Sequence, residues 1–339
     1  MSKRYFLRTM FFTLSVFAVL SLCIPAKSWS QSNKWKYYGF TASRNPVTQL
    51  MVDFAKEAKE LTKGQLDIRV YSQGELPYEP GDAVSITSKG LVEMANTEVS
   101  YIAGDIPVSP LVSMPLMVNT KEEAYKTGKI FIPYLDKVIQ EKYNTKILWW
   151  YARPPRKIMG KGEAPGKLAD LAGKRIRFPG PIGAEFLVRL GMVPVNVNPG
   201  DVPTAIQRGT LDGTSGAYVF LAATKWYEQC NWAYEMDSGG VFNLTVINKD
   251  VYDKLPSDIK TALDELGAKY TNKATELGYL LEGKSKADFE KSGIKFVQPS
   301  SSELEEARAK ITPFWNEWAK SKGTDAVEVL QQIRQAINK

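Results

Sequence analysis

The stretch Lys174-Arg-Ile-Arg-Phe-Pro-Gly180 has the alternation of apolar and charged residues that is typical of a short β-strand. Ile176 and Phe178 would lie on its buried face, and the Pro-Gly pair would end it. Open α/β sheets bind small molecules at the carboxyl ends of their strands. A guanidinium there matches a carboxylate with two parallel hydrogen bonds, which a lysine cannot form. Arg177 is therefore the first candidate anchor for an acidic group, the alternative being an arginine exposed to solvent.

The order of elements around this stretch repeats an order found earlier in the chain. In both regions a strand, a helix, an alternating strand and a second helix follow one another, and each second helix ends in a basic residue followed by glycine. The predicted elements are residues 34–40, 46–61, 66–70 and 80–89 in the first region, and 174–178, 182–191, 193–197 and 202–209 in the second. This order implies parallel strands. We therefore predict an α/β protein with two similar lobes whose loops face each other.

Two apolar strands are predicted to cross between the lobes. The first covers residues 146–156 and ends in a segment with two prolines, which cannot continue a β-ladder, and the second covers residues 241–248. Beyond Pro256, apolar residues keep near-helical spacing over a span that indicates one long helix along the back of both lobes. The predicted first lobe is 31–150 plus about 241–281, and the second is 151–240 plus about 282–339.

The N-terminal segment has the pattern of a secretory signal peptide. Three basic residues precede the apolar run Met10–Leu22, and small residues follow it. We predict a signal peptide over residues 1–30, cleaved near Ser30, with Ala26 as the second choice. Lipidation at Cys23 is disfavoured because the large Leu22 precedes it, and an uncleaved membrane anchor is the alternative. Export to the periplasm is therefore expected.

Composition excludes several classes of function. Removing residues 1–30 takes four basic and no acidic residues away, so the formal charge falls from +7 to +3. The mature chain has no basic stripe interleaved with aromatic residues, so nucleic acid is not an expected partner. The chain has no histidine, and beyond the signal peptide Cys230 is its one cysteine. Ser-His-Asp triads, histidine metal sites and disulfides are thus excluded, and no metal or cofactor is predicted.

Six segments, spread in order along the mature chain, resemble the substrate-binding proteins of tripartite ATP-independent periplasmic (TRAP) transporters, of the dicarboxylate-binding (DctP) type. They are Thr62-Lys-Gly-Gln-Leu-Asp-Ile-Arg-Val-Tyr, Met114-Pro-Leu-Met, Gly173-Lys-Arg-Ile-Arg-Phe-Pro-Gly, Ala205-Ile-Gln-Arg-Gly-Thr-Leu-Asp-Gly, Val246-Ile-Asn-Lys-Asp and Lys254-Leu-Pro-Ser-Asp-Ile. The resemblance implies a two-lobed periplasmic-binding-protein-like fold with mixed sheets, hinge strands and a long C-terminal helix. It also implies a solute receptor, not an enzyme, that delivers a small organic acid to the membrane permease subunits of a TRAP transporter.

Carried over by position, Arg177 matches the arginine that pairs with the ligand carboxylate in this family. Three segments depart from the family pattern. Tyr151-Ala-Arg-Pro-Pro-Arg156 replaces a glycine-aromatic-arginine motif, so Arg153, Arg156 or neither reaches the ligand. Asp201-Val-Pro203 lacks a tyrosine, and Thr214-Ser-Gly-Ala217 stands where the family has Gln-Glu-Asn. The less polar pocket argues against a C4-dicarboxylate or a sugar acid, whose polar groups need buried partners.

The predicted ligand is a monocarboxylate with an apolar or aromatic body. Five aromatic residues lie near the predicted cleft, and because alternate strand residues face opposite sides, we expect about two of them to contact the ligand. They are Trp149, Trp150, Tyr151, Tyr218 and Trp226, and the other predicted ligand contacts are Phe40, Glu75, Glu98, Arg153, Pro179, Thr214, Ser215 and Asn243. Glu98 could accept a hydrogen bond from a ligand hydroxyl or amine, or could serve structure alone.

Two other functions are compatible with the same residues. A receptor of this fold could present its ligand to a membrane sensor instead of a permease. An exported hydrolase would have to work with Asp, Glu, Lys, Tyr or Ser, and no pair such as Ser-x-x-Lys stands in a suitable context. For the oligomeric state, we expect a monomer or a weak homodimer, with the long C-terminal helix as the candidate interface.

Overall fold

The computed structural model describes residues 33–339. The predicted signal peptide and its cleavage near Ser30 lie outside the described residues and stay predictions. Eleven strands and ten α-helices are described within this range.

The strands are β1 (Asn33–Tyr38), β2 (Leu66–Tyr71), β3 (Met94–Glu98), β4 (Thr145–Arg153), β5 (Lys157–Gly160), β6 (Arg175–Arg177), β7 (Val193–Val195), β8 (Gly213–Gly216), β9 (Trp232–Tyr234), β10 (Val241–Asn248) and β11 (Lys295–Val297). The helices are α1 (Pro46–Leu61), α2 (Ala83–Ser88), α3 (Lys121–Lys142), α4 (Gly180–Arg189), α5 (Val202–Gln207), α6 (Tyr218–Thr224), α7 (Lys249–Asp253), α8 (Ser257–Lys291), α9 (Ser301–Lys322) and α10 (Thr324–Ala336).

The strands form two mixed sheets. The first has the order β2-β1-β3-β10-β4, and the second has the order β11-β9-β5-β8-β6-β7. In the first sheet β1 pairs in parallel with β2 and β3, while β10 runs antiparallel to β3 and β4. In the second, β6 is parallel to β7 and β8, and β5 is antiparallel to β8 and β9. The predicted α/β class with mixed sheets is confirmed.

Two short segments carry the chain from one sheet to the other. Residues 154–156 leave β4 for β5, and residues 235–240 leave β9 for β10. The segments are bonded to each other, because the Ser238 amide and hydroxyl both donate to the carbonyl oxygen of Arg156, at 2.9 and 2.8 Å. Gly239 has a φ of 108°, and a Cβ there would lie 2.8 Å from the Ser113 carbonyl oxygen, so only glycine fits this turn.

One long helix runs behind both sheets. α8 has 35 residues, which corresponds to roughly 50 Å. Its first half buries apolar residues such as Leu263 and Tyr270 against α1 and β4, and Phe289 near its end lies in the core of the second sheet. The predicted single long helix is therefore confirmed. No helix between residues 33 and 339 combines the length and the apolar character needed to cross a membrane.

The C-terminal helices differ in placement from the predicted lobe boundaries. The prediction assigned residues 282–339 to the second lobe, but α10 packs against α3, which belongs to the first-lobe segment. Trp315 on α9 donates to the Pro115 carbonyl oxygen at 3.0 Å, and Lys339 pairs with Glu123 at 2.7 Å. The reason is the apolar face of α10, which carries Val329 and Ile333 and is buried by packing against both α9 and α3.

Residues 121–142, for which no element was predicted, form the 22-residue helix α3. A local signal marks its start: the Thr120 side chain accepts from the Glu123 amide, and the Glu123 carboxylate accepts from the Thr120 amide. This reciprocal pair is the capping box, and its Thr-x-x-Glu pattern is readable from sequence.

We expect Glu303→Gln to destabilise the protein by roughly 1–2 kcal/mol at neutral pH, because a neutral amide replaces a carboxylate that accepts four hydrogen bonds. The donors are the Ser300 hydroxyl and amide, the Leu168 amide and the Tyr234 hydroxyl. The bonds from Ser300 and Leu168 lower the pKa of Glu303 from 4.5 to about 2.

A group with a lowered pKa contributes stability that is present above its usual pKa and lost as the pH falls toward the lowered value. The difference in the free energy of unfolding between wild type and Glu303→Gln should therefore become smaller as the pH falls from 4.5 to 2. Urea unfolding at several pH values measures it, and a difference that stays constant down to pH 2 would contradict the assignment.

Candidate functional site

Arg177 ends β6, at the edge where the carboxyl ends of three parallel strands meet. Its backbone pairs with Thr214 on β8 and Val195 on β7, and Pro179 leads directly into α4. The residue is 7% exposed, and its guanidinium lies 5.4 Å from the centre of the Trp226 ring. The sequence prediction that this strand delivers an arginine to its carboxyl end agrees with this geometry.

The Arg177 guanidinium is a buried cation. Its Nε donates to the Val197 carbonyl oxygen at 3.4 Å, and among residues 33–339 it forms no ion pair with a carboxylate. Burial lowers the pKa of Arg177, and the nearby Arg156 guanidinium lowers it further. A buried charge without a counter-ion is unfavourable, so an anion at this position would be strongly stabilised.

A second charged group faces the same space. Glu98, the last residue of β3, has a side chain that is 3% exposed and forms ion pairs with both Arg153 and Arg156. The Arg153 Nη2 atom lies 2.5 Å from Glu98 Oε2, while Arg156 and the Ser100 hydroxyl donate to Oε1, the latter at 2.6 Å. Arg153 also donates from Nε to Asn243 Oδ1 at 3.0 Å.

Glu98 is ionised in this arrangement. Burial by itself raises the pKa of Glu98, but the guanidinium groups of Arg156 and Arg153 and the Ser100 hydroxyl outweigh burial, so the pKa lies below its usual value. Three guanidinium groups therefore face one carboxylate, and the site has an excess of positive charge.

These residues surround what we call the anion cavity, a space between the two sheets. Its lining comprises Phe40, Thr41, Glu98, Tyr101, Arg153, Arg156, Arg177, Pro179, Ser215, Gly216, Ala217, Phe220 and Val241. The buried Ser215 hydroxyl has no hydrogen-bond partner within the described chain, so it can bond to a polar group placed in the cavity.

A second space, the apolar cavity, adjoins the first. It shares Phe40, Thr41, Arg153 and Phe220 with the anion cavity. Most of its remaining lining is apolar: Pro46, Val47, Leu50, Tyr151, Val219, Ala223, Ala274, Leu277 and Leu281. An acidic group held near Arg177 would thus have apolar space beside it for the rest of the molecule.

A group of charges that we call the hinge cluster supports both cavities. Lys157, just after the first crossing, lies 3.0 Å from Asp237 in the second crossing and 3.7 Å from Glu282 on α8. The Glu282 carboxylate accepts from the amides of Tyr218 and Val219, at 3.0 and 2.8 Å, and so holds the start of α6. Burial raises the pKa values of Asp237 and Glu282, while the Lys157 charge opposes it.

Most residues predicted from sequence lie at these cavities. Phe40, Tyr151, Glu98, Arg153, Arg177, Pro179 and Ser215 line one or both. Asn243 stands behind the lining, where it orients Arg153, and Thr214 is fully buried next to Arg177 on the neighbouring strand.

Besides Asn243 and Thr214, five predicted residues line neither cavity: Trp149, Trp150, Tyr218, Trp226 and Glu75. Trp149 is buried against Phe54, and Trp226 packs against Phe220. Trp150 stacks on Phe242 and fills the space over Gly128, where a Cβ would meet its ring at 2.0 Å. Tyr151 follows Trp150 on β4 and faces the opposite side, toward the cavity, because strand residues alternate. Tyr218 packs edge-on against two phenylalanines in the core of the second sheet, and its hydroxyl donates a hydrogen bond to Glu235 at 2.9 Å. Glu75 lies on an exposed loop, where it accepts from the Ser72 amide.

Several lining residues were not among the predicted contacts, and two of them, Phe220 and Arg156, bear on ligand binding. Phe220 enters both cavities from α6, which follows the carboxyl end of β8. The rule that selected Arg177, position after a strand end, also applies to Phe220 and could have found it. Whether Arg153, Arg156 or neither reaches the ligand was left open. The direction of the Arg156 side chain after two prolines does not follow from the sequence.

The comparisons with known proteins agree with this architecture. The model of the family "Bacterial extracellular solute-binding protein, family 7" matches residues 39–322. A solute-binding protein of Albidiferax ferrireducens is 25% identical over 292 residues, covering 84% of this chain and 85% of the relative. The C4-dicarboxylate-binding periplasmic protein DctP of Rhodobacter capsulatus is 23% identical over 306 residues, covering 88% of this chain and 87% of the relative.

The fold is also found among solved structures. An extracytoplasmic solute receptor of Bordetella pertussis that binds pyroglutamic acid superposes with a TM-score of 0.81 at 22% sequence identity. The match covers 91% of this chain and 100% of that receptor. It establishes the two-lobed fold.

We expect Lys157→Met to destabilise the protein by about 3 kcal/mol at neutral pH. The change leaves the Asp237 and Glu282 carboxylates without their cation, and breaking a buried pair costs about 3–5 kcal/mol. The lower end of that range applies because the Asp237 side chain is 28% exposed.

Acids with raised pKa values bind more protons in the folded than in the unfolded state, so stability falls as the pH rises through the raised values. The deficit of Lys157→Met in the free energy of unfolding, relative to wild type, should therefore become smaller toward acidic pH. Denaturant unfolding between pH 4 and 8 measures this deficit. Lys137→Met is the control, because Lys137 is a 74% exposed lysine on α3. A deficit that is equal at both ends of the pH range would contradict this account.

Proposed function

We propose that this chain, which belongs to the bacterial extracellular solute-binding proteins of family 7, binds a monocarboxylate with an apolar or aromatic body. The observation that carries the proposal is Arg177, a buried guanidinium at the anion cavity that has no carboxylate partner within residues 33–339. Membership of a family of solute-binding proteins assigns the chain to binding and not to catalysis.

The lining of the two cavities supports this ligand class. A carboxylate against Arg177 would receive two parallel hydrogen bonds, and the Ser215 hydroxyl could add a third. The aromatic rings of Phe40 and Phe220 and the apolar cavity beyond them would cover the body of the ligand. The Bordetella pertussis receptor, whose ligand is pyroglutamic acid, provides a precedent for a compact acid in this fold.

Binding would couple the two lobes. The cavity takes Phe40 from the first sheet's side and Arg177 from the second, so a ligand that touches both favours the closed arrangement by its differential affinity for it. Exclusion of water strengthens the pair between Arg177 and the carboxylate. The closed, loaded receptor would then deliver the acid to the permease subunits of a TRAP transporter at the periplasmic side of the membrane.

The test is binding of aliphatic, aromatic, keto and dicarboxylic acids to the purified mature protein, by thermal shift and calorimetry. A monocarboxylate that binds should raise the melting temperature by mass action. We expect Arg177→Ala to lose at least about a hundredfold in affinity, roughly 2.7 kcal/mol, because a charge-assisted bidentate contact is removed. Arg177→Lys should lose less, since it keeps the charge but not the fork.

Arg175→Ala is the matched control. Arg175 lies on the same strand, but its guanidinium pairs with Asp212 at 2.8 Å and does not line either cavity. Its loss should leave affinity unchanged. If no monocarboxylate binds, or if Arg177→Ala binds one as tightly as wild type, the proposed function is wrong.

A further inference from the structure

We propose that Glu98 is a built-in carboxylate that fills a second anion position in the cleft and restricts the receptor to ligands with a single negative charge. The inference rests on the proposed function, since it concerns which acids the same cavity accepts. It makes Glu98 a specificity-determining residue that acts through the two arginines it holds.

The arrangement of the three arginines carries the argument. All three line the anion cavity, and two of them, Arg153 and Arg156, are already paired with Glu98. Arg177 is the arginine of the cavity that has no carboxylate partner within the described chain. One position for a ligand carboxylate is therefore open, and the other is occupied by the protein itself.

Glu98 is held in place from several sides. It lies opposite Asn243 in the pairing of β3 with β10, and Asn243 in turn accepts from Arg153. Both of its carboxylate oxygens are engaged, Oε2 by Arg153 and Oε1 by Arg156 and Ser100. These three donors, two of them cationic, also disfavour the alternative that Glu98 binds a ligand amine, because they already neutralise its charge.

A ligand with a second carboxylate would meet two obstacles. It would compete with Glu98 for Arg153 and Arg156, and displacing Glu98 would leave a buried carboxylate unpaired. It would also place its second charge beside the negative charge of Glu98. A ligand with a neutral group at the same place meets neither obstacle, so discrimination follows from repulsion of the wrong ligand as well as attraction of the right one.

The first arm of the test needs no variant. Binding of succinic and glutaric acid is compared with binding of their monomethyl esters, which have nearly the same shape and one charge fewer. We expect each ester to bind wild type at least about tenfold more tightly than its diacid. Diacids that bind as tightly as their esters would overturn the proposal.

The second arm removes the built-in carboxylate. We expect Glu98→Ala to gain at least about tenfold in affinity for one of the diacids, and to be stabilised in a thermal-shift assay by sodium acetate, relative to equal sodium chloride, more than wild type is. Acetate would take the vacated place between the arginines in addition to the place at Arg177. Glu98→Gln fills the vacated place with a neutral group and should be stabilised by acetate no more than wild type, in which Arg177 alone is open. Glu141→Ala, at a 59% exposed glutamate on α3, is the control for the change in net charge.

Glu98→Ala leaves two buried cations unpaired, so the double variant E98A/R153M is made alongside it. That variant removes one positive and one negative charge and keeps Arg156 free, and it should show the same stabilisation by acetate. If the folded variants gain neither diacid affinity nor stabilisation by acetate, Glu98 is a structural residue only and the inference is wrong. Should neither variant fold, the comparison of esters and diacids on wild type decides.

The proposed function and the role of Glu98 are tested by different outcomes. If wild type binds no acid and no ester, the proposed function fails. If wild type binds monocarboxylates through Arg177 but binds diacids equally well, the proposed function stands and the role of Glu98 is rejected.

Discussion

The pairing of β10 with its two neighbours is the constraint on which the site depends. β10 lies between β3 and β4, antiparallel to both, and this register places Asn243 opposite Glu98 on one side and opposite Tyr151 on the other. Val241 lies opposite Arg153, at the point where the chain leaves for the second sheet. The polar core of the cleft is thus a direct product of backbone hydrogen bonds, because a shift of one residue would turn these side chains to the opposite face.

The same pair of strands also fixes how the second sheet is attached. The crossings that follow β4 and precede β10 are bonded to each other through Ser238 and Arg156, and Lys157 joins them to α8 through the hinge cluster. The Glu282 carboxylate accepts hydrogen bonds from the first two amides of α6, the helix from which Phe220 enters both cavities. Charges outside the cleft therefore position the side chains that line it.

Inside the cleft, burial decides what each charge can do. Glu98 and its two arginines satisfy one another, so their desolvation is compensated by short ionic contacts. Arg177 has a carbonyl oxygen and an aromatic ring beside it, which compensate a buried cation less well. The difference between a satisfied and an unsatisfied guanidinium distinguishes a structural arginine from one that is free to bind an anion, and residue type alone does not reveal it.

Features that depend on neighbours along the chain follow from the amino-acid sequence alone. Alternation and the Pro-Gly pair fixed β6 and the position of Arg177 at its end, and apolar spacing fixed α8 as a single helix. Tertiary structure alone decided that Glu98 meets Arg153 and Arg156, which lie 55 and 58 residues further along the chain. It also decided that Tyr151 faces the cavity while Trp150 packs on Phe242, and that α10 docks on α3. The physical reason is that periodicity and capping fix which residues share a face of an element, whereas strand pairing and the burial of apolar faces fix which elements meet.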